Sequence, residues 1–89
     1  MSFIIYDTKG NEAYISESAN DIKEAIREFA GKKDLCGIDL SGQSLQGIDL
    51  DTLILRECDF RNSDLSGVKI YNANIEGSDF RGIFYLGSF

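Results

Sequence analysis

From Leu35 onward every fifth residue of the chain is large and apolar: Leu35, Leu40, Leu45, Leu50, Leu55, Phe60, Leu65, Ile70, Ile75, Phe80 and Tyr85. In a chain that is 43% hydrophobic, such a run of hits has a chance of roughly one in ten thousand, so the period is a property of the fold. Period five belongs to neither regular element. Five steps around an α-helix turn the side chain by about 140° and scatter these residues over the whole surface. Five steps along a straight strand put successive members on opposite faces. The pattern closes only if the chain bends once per five residues and returns each apolar side chain to a common axis, with Leu65 and Ile70 buried in the middle of the stack. Two residues earlier stand Ile38, Ile48, Leu53, Cys58, Ser63, Val68, Ala73, Ser78 and Ile83, mostly small or apolar. Positions two apart share a face of an extended chain, so both columns point inward. Gly37, Gly42, Gly47, Gly67, Gly77, Gly82 and Gly87 fill the fifth place, where a corner needs permissive backbone.

The first third follows other rules. Phe3-Ile4-Ile5-Tyr6 and Ala13-Tyr14-Ile15 flank Thr8-Lys9-Gly10-Asn11, a turn-forming stretch, and together they predict a β-hairpin. Ile22, Ala25, Ile26 and Phe29 then recur at helical spacing within Asp21 to Ala30, with Ser18 or Asn20 placed as N-cap and Gly31 placed to end the helix. An amphipathic helix of this length is too short to stand alone, so its apolar face must lie on something.

Cys58-Asp59-Phe60-Arg61-Asn62, Ser63-Asp64-Leu65-Ser66-Gly67, Ala73-Asn74-Ile75-Glu76-Gly77 and Ser78-Asp79-Phe80-Arg81-Gly82 resemble the repeats of the pentapeptide-repeat family. Those repeats run small residue, Asp or Asn, Leu or Phe, then two mostly polar residues. The resemblance covers about residues 33–87 and implies a right-handed quadrilateral β-helix of just under three coils, four pentapeptides to a coil. The hairpin and helix resemble the N-terminal segment of phage and prophage members. Residues 1–32 are thus expected to form a capping hairpin and helix, and residues 33–89 the β-helix, in one compact and mainly β domain. Lys33 and Gln43 depart from the small-residue pattern, and Ile38, Ile48 and Leu53 are bulky there, so the first coil is expected to be either widened or partly irregular. The helix is expected to pack on that end and cover its open strand edges.

Composition narrows the function classes. Eighty-nine residues make one domain with a thin core. No apolar run approaches the length of a membrane span, and Met1–Tyr6 is too short for a signal peptide, which sets the expectation of a cytoplasmic protein of a bacterial host cell. A net charge of −6 argues against direct nucleic-acid binding. The chain has no histidine, which excludes His-based triads and the commonest general base. Cys36 lies at an outward position without an activating partner and reads as a bystander thiol; Cys58 reads as core packing. No zinc spacing, phosphate-cradling glycine loop or EF-hand loop is present, so neither a cofactor nor a metal nor an enzymatic activity is expected.

The charges carry the functional expectation. With twenty residues to a coil, Asp39, Asp59 and Asp79 stack as a ladder with rungs about 4.8 Å apart, and Glu57 and Glu76 adjoin it. These five form a partner-binding acidic ridge beside Arg56, with Arg61 and Arg81 expected on the far side of the same face, next to Asp64. A second acidic patch comprises Asp34, Asp49 and Asp51. Equally, aspartates before the core residue fit a role in capping backbone amides at turns. Family members that protect DNA gyrase are acidic rods shaped like duplex DNA, so the resemblance implies a DNA mimic. At just under three coils the rod is roughly 13 Å long. It covers about four base pairs, the scale of the PAM duplex that a CRISPR effector reads. The expected function is therefore a phage-encoded, non-enzymatic anti-CRISPR or anti-defence inhibitor occupying a basic groove. The alternatives are a gyrase-binding, topoisomerase-protecting protein and a purely structural interaction module. Phe84, Leu86 and Phe89 are candidate contacts either for a C-terminally paired homodimer or for a cap on the last coil of a monomer.

Overall fold

The computed structural model describes residues 2–32 and 34–86. Lys33, Gly87 and Phe89, placed above in the inward column, the corner row and the C-terminal contacts, lie outside them. The chain opens with strands β1 (Phe3–Tyr6) and β2 (Glu12–Ser16), paired antiparallel with Ile4 opposite Ile15 and Ile5 opposite Tyr14. The turn between them is closed by the Asp7 carboxylate, which accepts the amides of Lys9 and Asn11 at 2.9 Å. A register shift after Ile5 sets Tyr6 opposite Glu12. Alternation then buries Ile5 and Ser16 on one face and leaves Tyr6 and Ile15 exposed on the other.

Helix α1 (Ile22–Ala30) buries Ile22, Ala25, Ile26 and Phe29, the stripe its spacing predicts. Its N-cap is Asp21, neither Ser18 nor Asn20: the Asp21 carboxylate accepts the Glu24 amide at 2.9 Å. Ser18 is taken up elsewhere, donating its hydroxyl to Glu28 at 3.1 Å. Glu28 also accepts from Tyr14 Oη at 3.1 Å and Ser16 Oγ at 2.8 Å, so one carboxylate ties the helix to the hairpin. Gly31 ends the helix with φ at −74°, using its amide rather than a left-handed conformation.

This knot titrates. The Ser16 hydroxyl above all, helped by Ser18 and Tyr14, holds the Glu28 carboxyl below its ordinary value of 4.5. A carboxyl depressed on folding contributes stability that is complete above its unfolded pKa and is lost as pH falls through the lower folded value. Thermal unfolding between pH 6 and pH 2 should therefore show Glu28→Gln losing part of the wild type's acid sensitivity below about pH 4.5. Equal pH profiles for the two proteins would show that the knot carries no such linkage.

From residue 34 the chain forms a β-helix-like stack. Parallel bridges join residues twenty apart: Asp39 to Asp59, Ser44 to Asp64, Asp49 to Lys69, Ile54 to Asn74, Asp59 to Asp79 and Asp64 to Phe84. Four pentapeptides therefore bring the chain back onto itself. At most corners, though not those after Leu35, Leu40 and Leu55, the carbonyl of the central residue accepts the amide three positions on, as Leu45 does from Ile48 and Phe60 from Ser63. The third residue of such a turn needs positive φ, which Gly47 supplies at 70° and Gly82 at 73°. Thr52, Glu57 and Asn62 take the same left-handed conformation at φ 64°, 58° and 61°, against the steric preference of side chains.

The central column is buried from Leu35 through Leu65. Ile70 is only half-buried, contrary to the expectation that it shares the middle of the stack with Leu65, because no described residue stacks over it. The inward small residues have a second task. Cys58 Sγ donates to Leu35 O at 2.9 Å, Ser78 Oγ to Leu55 O at 2.6 Å, and Ser63 Oγ to Leu40 O. Each gives a donor to a corner carbonyl of the preceding coil that takes no backbone amide, inside an apolar core where an unmet polar group is costly. The bulky members of the first coil leave its pairing as regular as the second's. Ile48 and Leu53 line a crevice with Ile26, Arg27 and Ala30 of α1, so their bulk meets the helix. A single hydrophobic cluster runs from Ile5 and the helix into the repeats.

Candidate partner-binding face

Asp39, Asp59 and Asp79 lie in one row of parallel pairs, each outward because its neighbours Leu40, Phe60 and Phe80 point to the axis. The row does not stop at the first coil. Asp7 bridges Ile38 antiparallel, Thr8 N donates to Gly37 O and Asp39 N to Tyr6 O, both at 2.9 Å. Tyr6 therefore faces Asp39 across the sheet, and Glu12 faces Tyr6. One outward row runs Glu12, Tyr6, Asp39, Asp59, Asp79 over five strands. The edge of this side of the first coil is thus covered by the hairpin rather than by the helix. Nothing local in the sequence marks this docking; the one available signal was the alternation that puts Tyr6 on the face opposite to buried Ile5.

The arginines lie elsewhere than expected. Arg61 and Arg81 sit on the ladder, not across the face beside Asp64. Arg61 Nε and Nη2 bind the Asp59 carboxylate at 3.0 and 2.8 Å, and Arg81 does the same to Asp79 at 3.0 and 2.6 Å. The reason is the turn: each of these aspartates accepts the backbone amide of the arginine two residues on, which holds the carboxylate beside that arginine's own side chain. The Arg61 guanidinium holds Asp59 below the usual carboxylate range, and that of Arg81 brings Asp79 to about 2. Arg56 pairs with Glu76 at 2.8 Å. Of the five ridge carboxylates, Asp39 and Glu57 are the two without a salt bridge among the described residues. Asp64 takes the Ser66 amide and Gln46 Nε2 instead, at 3.0 and 2.7 Å, and the Ser66 amide foremost lowers its pKa.

The aspartates also hold the turns. Asp39, Asp49, Asp59, Asp64 and Asp79 each accept the amide two residues on at 3.0 Å, and Asn74 does so at 3.1 Å. The second acidic patch falls on two adjoining sides: the Asp49 backbone bridges that of Lys69 in the next coil, Asp51 accepts the Asn72 amide at 3.0 Å, and Asp34 borders a crevice with Thr52 and Ile54.

Cys36 is exposed and Cys58 buried. Burial pushes the Cys58 thiol up to about 11, so at neutral pH it is a protonated donor and a poor nucleophile. Among the described residues no group of three or more Cys, Asp or Glu is arranged to hold a metal, and no helix is long and apolar enough to cross a membrane. At the far end Phe84 and Leu86 are exposed, 56% and 66%, beside an open apolar depression lined by Leu65, Ile70, Ile75, Phe80 and Ile83.

A model of pentapeptide repeats matches residues 34–69 and 44–82, in eight copies, which together span more than half of the chain. Comparison with curated proteins and with solved structures gives no match.

Proposed function

The chain belongs to the pentapeptide-repeat family, and from that premise we propose that it is a non-enzymatic interaction protein whose acidic coils occupy the basic DNA-binding groove of a bacterial DNA-acting protein. The observation that carries this reading is the position of the charge. Of the net −6, nearly all sits on the repeats: Asp34, Asp39, Asp49, Asp51, Glu57, Asp59, Asp64, Glu76 and Asp79 face Arg56, Arg61, Lys69 and Arg81. Those acids project from a stack held at β-sheet spacing, in the manner of a right-handed quadrilateral β-helix. A rigid array of like charge suits a groove built for a regular polyanion.

Length selects the element mimicked. Five strands at about 4.8 Å put the row from Glu12 to Asp79 at roughly 19 Å. That matches about five or six base pairs, a short recognition duplex rather than a long duplex path. A PAM-reading CRISPR effector must present a basic groove to a short duplex, which supports an anti-defence role in the bacterial cytoplasm. Gyrase is the second reading. It is favoured by the open apolar end, since pairing there doubles the length of the acidic rod.

Competition tests this. A purified PAM-reading effector with its guide should lose a labelled short PAM duplex as the protein is added, with the protein and the duplex mutually exclusive. DNA gyrase in a supercoiling assay is the parallel arm. Simultaneous binding of protein and duplex, or binding to neither enzyme, overturns the mimicry.

A further inference from the structure

The hairpin is bonded to the coils through β1, and its other strand is left with a free side. The Tyr6 carbonyl accepts the Asp39 amide, so the backbone groups of Tyr6 face the first coil. Alternation along β1 then turns those of Ile5 and Phe3 toward β2, where Tyr14 and Ser16 face back to meet them. The N–H and C=O of Ile15 therefore point away from β1, along the outer edge of β2. No described residue outside the hairpin bonds to the backbone of Ala13 or Ile15, and β1 is the one strand paired with β2 among the described residues. The register shift lies beside Glu12 and leaves Tyr14, Ile15 and Ser16 regularly paired.

Edge strands are commonly blunted by Lys or Pro, and β2 carries neither. Its outer face has a pattern of its own. Glu12 stands opposite Tyr6, Ile15 is 48% exposed, and exposed Glu17 follows two residues later on the same face. Neither glutamate is in a salt bridge among the described residues. Acid, apolar, acid along a free edge calls for base, apolar, base on an added strand, because opposite charges across a strand pair attract and like charges repel. A second copy of the chain is the wrong occupant. Pairing β2 antiparallel with itself gathers Glu12 and Glu17 of both copies at one seam.

We propose that the outer edge of β2 receives an extended segment of a protein partner, with basic, apolar and basic residues at alternate positions, as a further strand of the sheet. The added backbone bonds to that of Ile15, its apolar side chain covers the Ile15 side chain, and its two cations lie beside Glu12 and Glu17. The inference is independent of what the row of Asp39, Asp59 and Asp79 binds.

Amide NMR shifts of the isotope-labelled full chain, titrated with the blocked pentapeptide Lys-Thr-Val-Thr-Lys, read it residue by residue. Saturable shifts are expected at Ala13 and Ile15 in the millimolar range, with the acidic counterpart Glu-Thr-Val-Thr-Glu binding at least about tenfold more weakly. Glu12→Lys combined with Glu17→Lys should reverse that preference. Ile15→Pro removes the outward donor and should abolish binding, since Pro is tolerated where the N–H faces away from the sheet. Should that variant lose the hairpin, the basic peptide N-methylated at valine tests the same ladder on the wild-type protein, and it is expected to bind at least about tenfold more weakly. Absence of a saturable shift at β2, shifts confined to the row of Asp39, Asp59 and Asp79, or equal binding of the basic and acidic peptides overturns the proposal.

Discussion

Leu65→Ala is expected to cost about 2–5 kcal/mol of folding stability, the range for emptying a fully packed site. Leu65 is completely buried and belongs to the second of the stacked coils. Its amide donates to Phe84 O at 2.8 Å and its carbonyl accepts the Val68 amide, so the backbone around it is fixed and cannot collapse into the void. For a domain of this length each lost kcal/mol lowers the melting temperature by about 4–8 °C, and total stability is about 5–15 kcal/mol. A midpoint at least ~8 °C lower, or a chain partly unfolded at 37 °C, is therefore the calorimetric expectation. Leu65→Met, which keeps volume, should cost less than about 1.5 kcal/mol. An unchanged midpoint for Leu65→Ala would mean that the period-five column is not the core.

Changing Asp39, Asp59 and Asp79 together to asparagine is expected to weaken binding to the partner found by competition at least about tenfold. The fold should hold, because each of these carboxylates serves the backbone through one oxygen that asparagine also has, as Asn74 shows by accepting the Glu76 amide. The row loses three negative charges, and that is enough to reverse its sign. Arg61 and Arg81 now lie clamped on Asp59 and Asp79, and the substitution leaves both guanidinium groups facing outward unneutralised. A mildly acidic row becomes a basic one, which a basic groove repels. Titrations at several ionic strengths should show the residual affinity falling less steeply with salt than the wild type's. Arg61→Gln with Arg81→Gln should bind as well as the wild type or better. Full-strength binding by the triple variant removes this face from the interface.

The repeat was legible because it is a long-range order written locally: one apolar residue in five, a small residue two before it, glycine two after. Those rules place Leu35 to Leu65, Cys58, Ser63 and the coil-to-coil pairing of Asp39, Asp59 and Asp79. The hairpin and the apolar stripe of α1 were legible for the same reason. What escaped depends on geometry that no short window contains. The N-cap fell to Asp21 because Ser18 is consumed by Glu28, a contact ten residues away. Tyr6 joins the acidic row through bonds to residues more than thirty positions on. Arg61 and Arg81 were assigned to the wrong edge because the coil-to-coil period was weighed and the turn that sets each beside the aspartate two residues before it was not. The half-burial of Ile70 follows from which side of the last coil is left without a successor.

The cross-coil pairs also govern how the molecule comes together in time. Each bridge of the stack closes a loop of twenty residues, a contact separation of about 0.2 of the chain length, the range of slow-folding β-sandwiches and barrels. Every coil needs its predecessor as a template, since a lone coil has no ladder to bond and no floor for its apolar column. The hairpin and helix are assembled from local contacts, emerge first during synthesis, and already present the Tyr6 carbonyl to which Asp39 bonds. They offer the edge on which winding can begin, so a chain stripped of them is expected to refold more slowly.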